Sequence, residues 1–227
     1  MGAQPPTAER SRGPARRALV VVLTCFVGGL AFSTAGRSSV RPPGGTAPVP
    51  DRALPAMVVL LRHAEKPPTG EHLSAAGWAR ARALAPYLWN RYGAHLAAVY
   101  AAQVDPRQHS PSYRPQETLT PLIIKLLTDR AGVSVNTSWP VGQEALVAAD
   151  ITRHIGFAGK TVIIAWEHIH LPLIAAALGV PNPPAWPERF DLLMEISMTR
   201  RPPACRWVAQ MRMPGDSATL PHGCGVP

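Results

Sequence analysis

Two uninterrupted apolar runs, residues 56–61 and 162–166 (the second within a strand segment 160–166 that opens on Lys160-Thr161), organise the pattern along this chain. Runs of this length, with Val58-Val59 in the first and Val162-Ile163-Ile164 in the second, predict strands buried on both faces. Between and beyond them the pattern alternates. After a polar loop at 66–72, Ser74 is placed to cap a helix reaching about residue 91, with Leu84 and Leu88 at helical spacing. Residues 97–101 predict a short strand. Residues 115–129 predict a helix with Pro115 suited to its first turn. Residues 133–136 predict a short strand and 143–155 a helix. Residues 170–178 form a further helix, stopped by Gly179. Two last strands, 192–198 and 206–213, flank Arg200-Arg201-Pro202-Pro203 as a hairpin. Strands alternating with helices imply an α/β fold. The expected form is a three-layer sandwich whose mostly parallel central sheet is flanked by helices, with the hairpin adding antiparallel edge strands. There is no internal repeat.

The ends depart from this alternation. Arg10, Arg12, Arg16 and Arg17 precede an uncharged stretch at 18–32 and then small residues at 33–36, the layout of an export signal or a membrane anchor over 1–35. Residues 36–55, rich in Gly, Ser, Arg and Pro, read as a linker. Residues 56–213 form the folded domain and 214–227 a C-terminal tail. The expected location is outside the cytoplasm, secreted or tethered to a membrane through residues 18–35. Three cysteines are present; removal of Cys25 with a signal leaves Cys205 and Cys224 either to pair in an oxidising compartment or to stay free.

A formal charge of +9 raises the question of nucleic acid, but its distribution answers against it. Residues 1–52 hold seven arginines against Glu9 and Asp51, so most of the excess lies outside the domain. The domain carries no basic stripe interleaved with aromatics, and no nucleic-acid partner is expected.

The candidate chemistry sits at strand ends, where ligands bind in such sheets. Arg62-His63 follows the first buried strand and His168 the second. The segment Arg62-His63-Ala64-Glu65 resembles the arginine–histidine signature of the histidine phosphatase superfamily, the phosphoglycerate mutase-like group that includes many small phosphatases. Leu73-Ser74-Ala75-Ala76-Gly77 resembles that family's helix start. Tyr113-Arg114-Pro115-Gln116-Glu117-Thr118 is similar to its second arginine, followed four residues on by threonine. Residues 160–168 are similar to the late strand that delivers its second histidine. The ordered set covers roughly residues 56–200. The resemblance implies hydrolysis of phosphomonoesters through a phosphohistidine, with catalytic His63, His168 and Glu144 and phosphate-binding Arg62 and Arg114. Glu144 lies 30 residues beyond Arg114, the spacing at which the mutase-like branch places its acid; Glu167 and Glu65 are its rivals.

The residue types suit that chemistry. Phosphoryl transfer needs an in-line nucleophile and compensation for charge on three non-bridging oxygens. Neighbouring guanidinium groups should keep His63 neutral and nucleophilic. The planar forks of Arg62 and Arg114 match phosphate oxygens, and an arginine at a helix start is poorly placed unless it faces an anion. No cofactor is expected, and none of the usual metal-ligand spacings occurs, so no metal is expected either. The partner is a phosphorylated small molecule or other phosphoester. Two alternatives accompany this reading: a phosphoglycerate mutase-type phosphotransferase, and an exported anion-binding module without turnover. Loops 103–113 and 180–190 are expected to set specificity, with Arg107 or His109 in reach of substrate. His170 is expected to be structural and Trp166 to belong to the core.

Overall fold

The computed structural model describes residues 54–105, 107, 111–129 and 131–224. The signal or anchor segment 1–35, most of the linker and His109 lie outside the described residues. The chain runs β1 (Met57–Arg62), α1 (Ala75–Tyr92), β2 (Leu96–Ala101), α2 (Arg114–Thr128), β3 (Ser134–Asn136), α3 (Glu144–Arg153), β4 (Thr161–Trp166), α4 (Leu171–Ala177), β5 (Leu192–Ser197) and β6 (Ala204–Ala209). The six strands form one sheet in the order β3-β2-β4-β1-β5-β6. β1 to β4 are mutually parallel, β5 runs antiparallel to β1, and β6 antiparallel to β5.

The two long apolar runs became the central strands because both their faces are covered. Val58 and Leu60 of β1, with Val162, Ile164 and Trp166 of β4, face a core completed by Val147 and Ile151 of α3 and Leu171 and Ile174 of α4. Val59 and Leu61, with Ile163 and Ala165, face the other way, against Leu84 and Leu88 of α1 and Leu119, Leu122 and Leu126 of α2. A period-2 strand sends alternate side chains to opposite sides, so an unbroken apolar run supplies both cores at once. The result is the expected three-layer arrangement.

One expectation about the C-terminal region needs correction. The last strand begins two residues earlier than expected and stops at Ala209 rather than Met213. Met211 adopts a positive φ of 53°, and the amides of Arg212 and Met213 turn inward to the Asp216 carboxylate instead of a ladder. Residues 214–224, within the C-terminal tail 214–227, are tied to the preceding elements. Asp216 pairs with buried Arg80 of α1 at 2.7 Å, Ser217 and Thr219 carbonyls accept from Arg189, and Cys224 is disulfide-bonded to Cys205. A polar, glycine-containing segment has no apolar pattern to announce such packing. Here buried charges and a covalent bond hold it.

Candidate active site

β1 and β4 are adjacent and in register, Arg62 opposite Trp166, and the His63 amide continues the ladder by donating to the Trp166 carbonyl at 3.0 Å. The residues that follow each strand, His63 and then Glu167-His168, therefore leave the sheet side by side at the edge where parallel strands end. α2 is docked to the same place. The amide of Ala64 donates to Thr118 Oγ1 at 2.9 Å, and that hydroxyl donates to the Arg114 carbonyl at 2.7 Å. One threonine thus fixes the start of α2, and with it Arg114, against the residue after His63.

The start of α1 is built onto the same loop. Ser74 caps the helix by accepting from the Gly77 amide, and the Ser74 amide donates to the Glu65 carbonyl at 2.9 Å. A Cβ on Gly77 would lie 2.2 Å from that carbonyl oxygen, so only glycine lets the helix approach so closely. Glu117 of α2 reaches back to accept from the Leu73 amide at 2.8 Å and to pair with His72. The conspicuous residues of these segments are thus joints between β1, α1 and α2.

His63 is 3% exposed, and its Nδ1 lies 2.7 Å from the Ala64 carbonyl oxygen. A carbonyl only accepts, so Nδ1 carries the proton and Nε2 keeps its lone pair. Burial pushes the imidazole pKa down to about 4; the Ala64 bond opposes this, while the charges of Arg62, Arg114 and His168 reinforce it. The neutral state expected from the guanidinium groups is present, but desolvation is the larger cause.

Arg62, also 3% exposed, lies over the Phe190 ring at 4.2 Å and donates from Nη1 to Glu188 Oε2 at 3.1 Å. Its Nε is buried with no partner among the described residues. His168 Nε2 lies 2.7 Å from Glu188 Oε1. The His168 pKa is lowered by burial and then by Arg62, with Glu188 and Glu167 pulling the other way. One carboxylate therefore bridges two of the expected phosphate-site groups.

The remaining expected residues are placed differently. The charge of Arg114 acts on His63, but its guanidinium donates to the carbonyls of Gly70 and, at 3.4 Å, His72. Glu144 is 6% exposed and accepts from the Gly142 amide at 2.8 Å, with His170 Nδ1 at 2.9 Å and the Trp166 indole at 3.4 Å. None of these contacts is with His63, Arg62 or His168; Glu144 is the first residue of α3. Its partner His170 stands just before α4, and Trp166 is fully buried in the core. Glu65 is paired with Arg80 at 2.7 Å. Arg107 is exposed and paired with Asp105.

Sequence reasoning missed Glu188 and Phe190. Both lie in the loop expected only in general terms to shape specificity, and no motif surrounds them. The one available signal is an acid two residues before an aromatic in an otherwise proline-rich loop.

No protein-family model matches the sequence, and no curated protein is significantly similar to it. Solved structures are. One is the protein histidine phosphatase SixA complexed with tungstate, at 14% identity over 68% of this chain and 97% of that one, with a TM-score of 0.45. Two others bear names of phosphohistidine phosphatase SixA proteins. That from Agrobacterium tumefaciens has 17% identity, the same coverages and a TM-score of 0.39. That from Nakamurella multipartitia has 13% identity over 64% of this chain and 86% of that one, with a TM-score of 0.41.

Proposed function

We propose that this chain is a phosphatase of the histidine phosphatase superfamily, hydrolysing phosphomonoesters through a phosphohistidine at His63. The observation that carries this reading is the state of His63: a buried, neutral imidazole whose Nδ1–H is fixed by the Ala64 carbonyl, leaving Nε2 free beside Arg62 and His168. Nε2 attacks phosphorus, the P–N bond forms and the P–O bond to the leaving group breaks. The Ala64 carbonyl stabilises the positive charge that develops on the ring. Arg62, with its unpartnered buried Nε, is the principal ligand of the non-bridging oxygens. His168 donates from Nε2, and Arg114 contributes charge from the start of α2. Water then attacks phosphorus, the P–N bond breaks and inorganic phosphate leaves.

The leaving-group proton is not assigned to Glu144, since none of that carboxylate's contacts is with His63, Arg62 or His168. Solvent supplies it. Leaving groups that depart readily as anions should therefore be the better substrates. Arg62, Arg114 and His168 between them provide charge compensation without a metal ion, and activity is expected to persist in a chelator. Mutase-type transfer would use the same phosphohistidine; assay of exchange between two phosphoglycerates separates it from hydrolysis.

The deciding experiment is a rapid acid- and base-quench of the protein turning over a phosphomonoester. An acid-labile, base-stable phosphoryl group should map to His63 and be absent from His63→Ala along with turnover. Hydrolysis by the alanine variant at the wild-type rate would overturn the assignment.

We also propose that the domain works outside the cytoplasm. The layout of residues 1–35 supports export, and the Cys205–Cys224 bond suits an oxidising compartment. Among the described residues no helix is long and apolar enough to cross a membrane. Detection of the full-length protein in the exported fraction, with a new N-terminus near residue 36 if the segment is cleaved, tests this.

A further inference from the structure

The Glu188 carboxylate stands where an anionic ligand of the site would be expected. Its Oε2 accepts from Arg62 Nη1 at 3.1 Å, and its Oε1 lies 2.7 Å from His168 Nε2. One oxygen serves each group, as two oxygens of a phosphoryl group would. Among the described residues nothing else bonds the carboxylate, and the side chain is 76% exposed. Its surroundings are anchored on both sides. Arg189 is locked to Asp191 and to the carbonyls of Ser217 and Thr219, and Trp186 is buried against Trp207. The backbone is thus held while the side chain is free to turn, so a rotation of Glu188 would release Arg62 Nη1 and His168 Nε2 from its carboxylate.

We propose that Glu188 is a built-in anion that occupies the phosphate cradle until substrate displaces it, and that then, at the rim, selects against phosphoesters carrying further negative charge. This rests on the phosphatase reading above. Displacement exchanges one anion for another at Arg62 and His168, so the resting protein binds phosphate more weakly than the bare cradle would. Once displaced, the carboxylate stands at the mouth beside a bound phosphoryl dianion. A leaving group bearing its own carboxylate or phosphate meets repulsion there; a neutral one does not.

Glu188→Gln keeps the shape and removes the charge, and Glu188→Asp keeps the charge on a side chain one methylene shorter. Inorganic phosphate is titrated calorimetrically into wild type and both variants. Hydrolysis is compared on glycerol 3-phosphate and 3-phosphoglycerate, which differ in a carboxylate. Both variants should bind phosphate more tightly than wild type, by roughly threefold to tenfold for the weakened competition of one exposed carboxylate at both Arg62 and His168. Wild type should prefer glycerol 3-phosphate in kcat/KM. Glu188→Gln should lower that preference by a similar factor and Glu188→Asp should largely retain it.

Phosphate affinity equal to or weaker than wild type in Glu188→Gln, with hydrolysis intact, would overturn the proposal and leave the phosphatase reading standing. So would a fall in kcat in Glu188→Gln confined to poor leaving groups, which is the signature of a proton donor. Absence of both phosphate binding and hydrolysis in wild type would overturn the phosphatase reading and this proposal together.

Discussion

The imidazole of His63 sits at the end of β1 with its Nδ1 proton committed to the Ala64 carbonyl and almost no surface in water. Its protonation is therefore set by the folded structure, with a definite sign. In the unfolded chain the ring takes up a proton below the ordinary histidine value of 6.5, whereas in the folded protein it resists until about pH 4. The unfolded state binds more protons across that interval. The neutral ring thus contributes stability in full above about pH 6.5, and the contribution is lost as pH falls towards 4; it amounts to about 3 kcal/mol. An NMR titration of the His63 ring should give a midpoint near 4, and a midpoint near 6.5 would show that the ring is solvated. In parallel, urea unfolding of His63→Asn should show a shallower loss of stability between pH 6.5 and 4 than wild type. Thr118 lies one step outward. Thr118→Val removes the acceptor of the buried Ala64 amide and the donor to the Arg114 carbonyl. A cost of about 1–3 kcal/mol is expected in denaturant midpoint, with a fall in kcat/KM because Arg114 loses its register against His63.

At the scale of elements, the joint between β1 and α1 tests whether the glycine at the helix start is structural. Gly77→Ala would place a methyl 2.2 Å from the Glu65 carbonyl oxygen, and neither backbone can yield without breaking the Ser74 cap. Despite the better helix propensity of alanine, the variant should lose about 2–4 kcal/mol by chemical denaturation. A neutral or stabilising effect would mean that α1 does not sit this close. This joint also shows why so much of the fold was legible in the sequence. Ser74, Gly77 and the spacing of Leu84 and Leu88 act within a few residues of one another, and the apolar runs of β1 and β4 declare strands covered on both faces. The two histidines follow because both central strands end at the same edge of the sheet. What was not legible depends on where distant segments return. Glu144 has the expected spacing from Arg114, but spacing does not say what its carboxylate meets: the Gly142 amide, with His170 Nδ1 at 2.9 Å. Glu188 gains meaning only because its loop folds back over Arg62 and His168, a tertiary fact with no local pattern.

For the whole molecule, the chain beyond β6 closes the structure from the side of α1 and the hairpin. Arg80 is a buried cation on α1, and Asp216 meets it with both oxygens while also accepting from the amides of Arg212 and Met213. Glu65, in the loop after His63, shares the same guanidinium, so the segment is coupled to the site through one side chain. Asp216→Asn leaves Arg80 paired with Glu65 alone, and weakening one of two charge-assisted partners of a buried guanidinium should cost about 1.5–3 kcal/mol. At the segment's far end, Cys205 and Cys224 are bonded across a sequence separation of 19. Loss of that bond in Cys224→Ser should cost about 3 kcal/mol, as expected for a loop of this size. These two anchors hold the same short stretch of chain. If it detaches as a unit, removing either anchor already forfeits part of what the other secures. The double variant should therefore lose less stability than the sum of the two single losses, by more than about 0.5 kcal/mol. Equilibrium urea unfolding of the wild type, both single variants and the double variant, all under non-reducing conditions, measures the coupling. Strict additivity would show that Asp216 and Cys224 secure the fold independently and that residues 214–224 do not act as one strap.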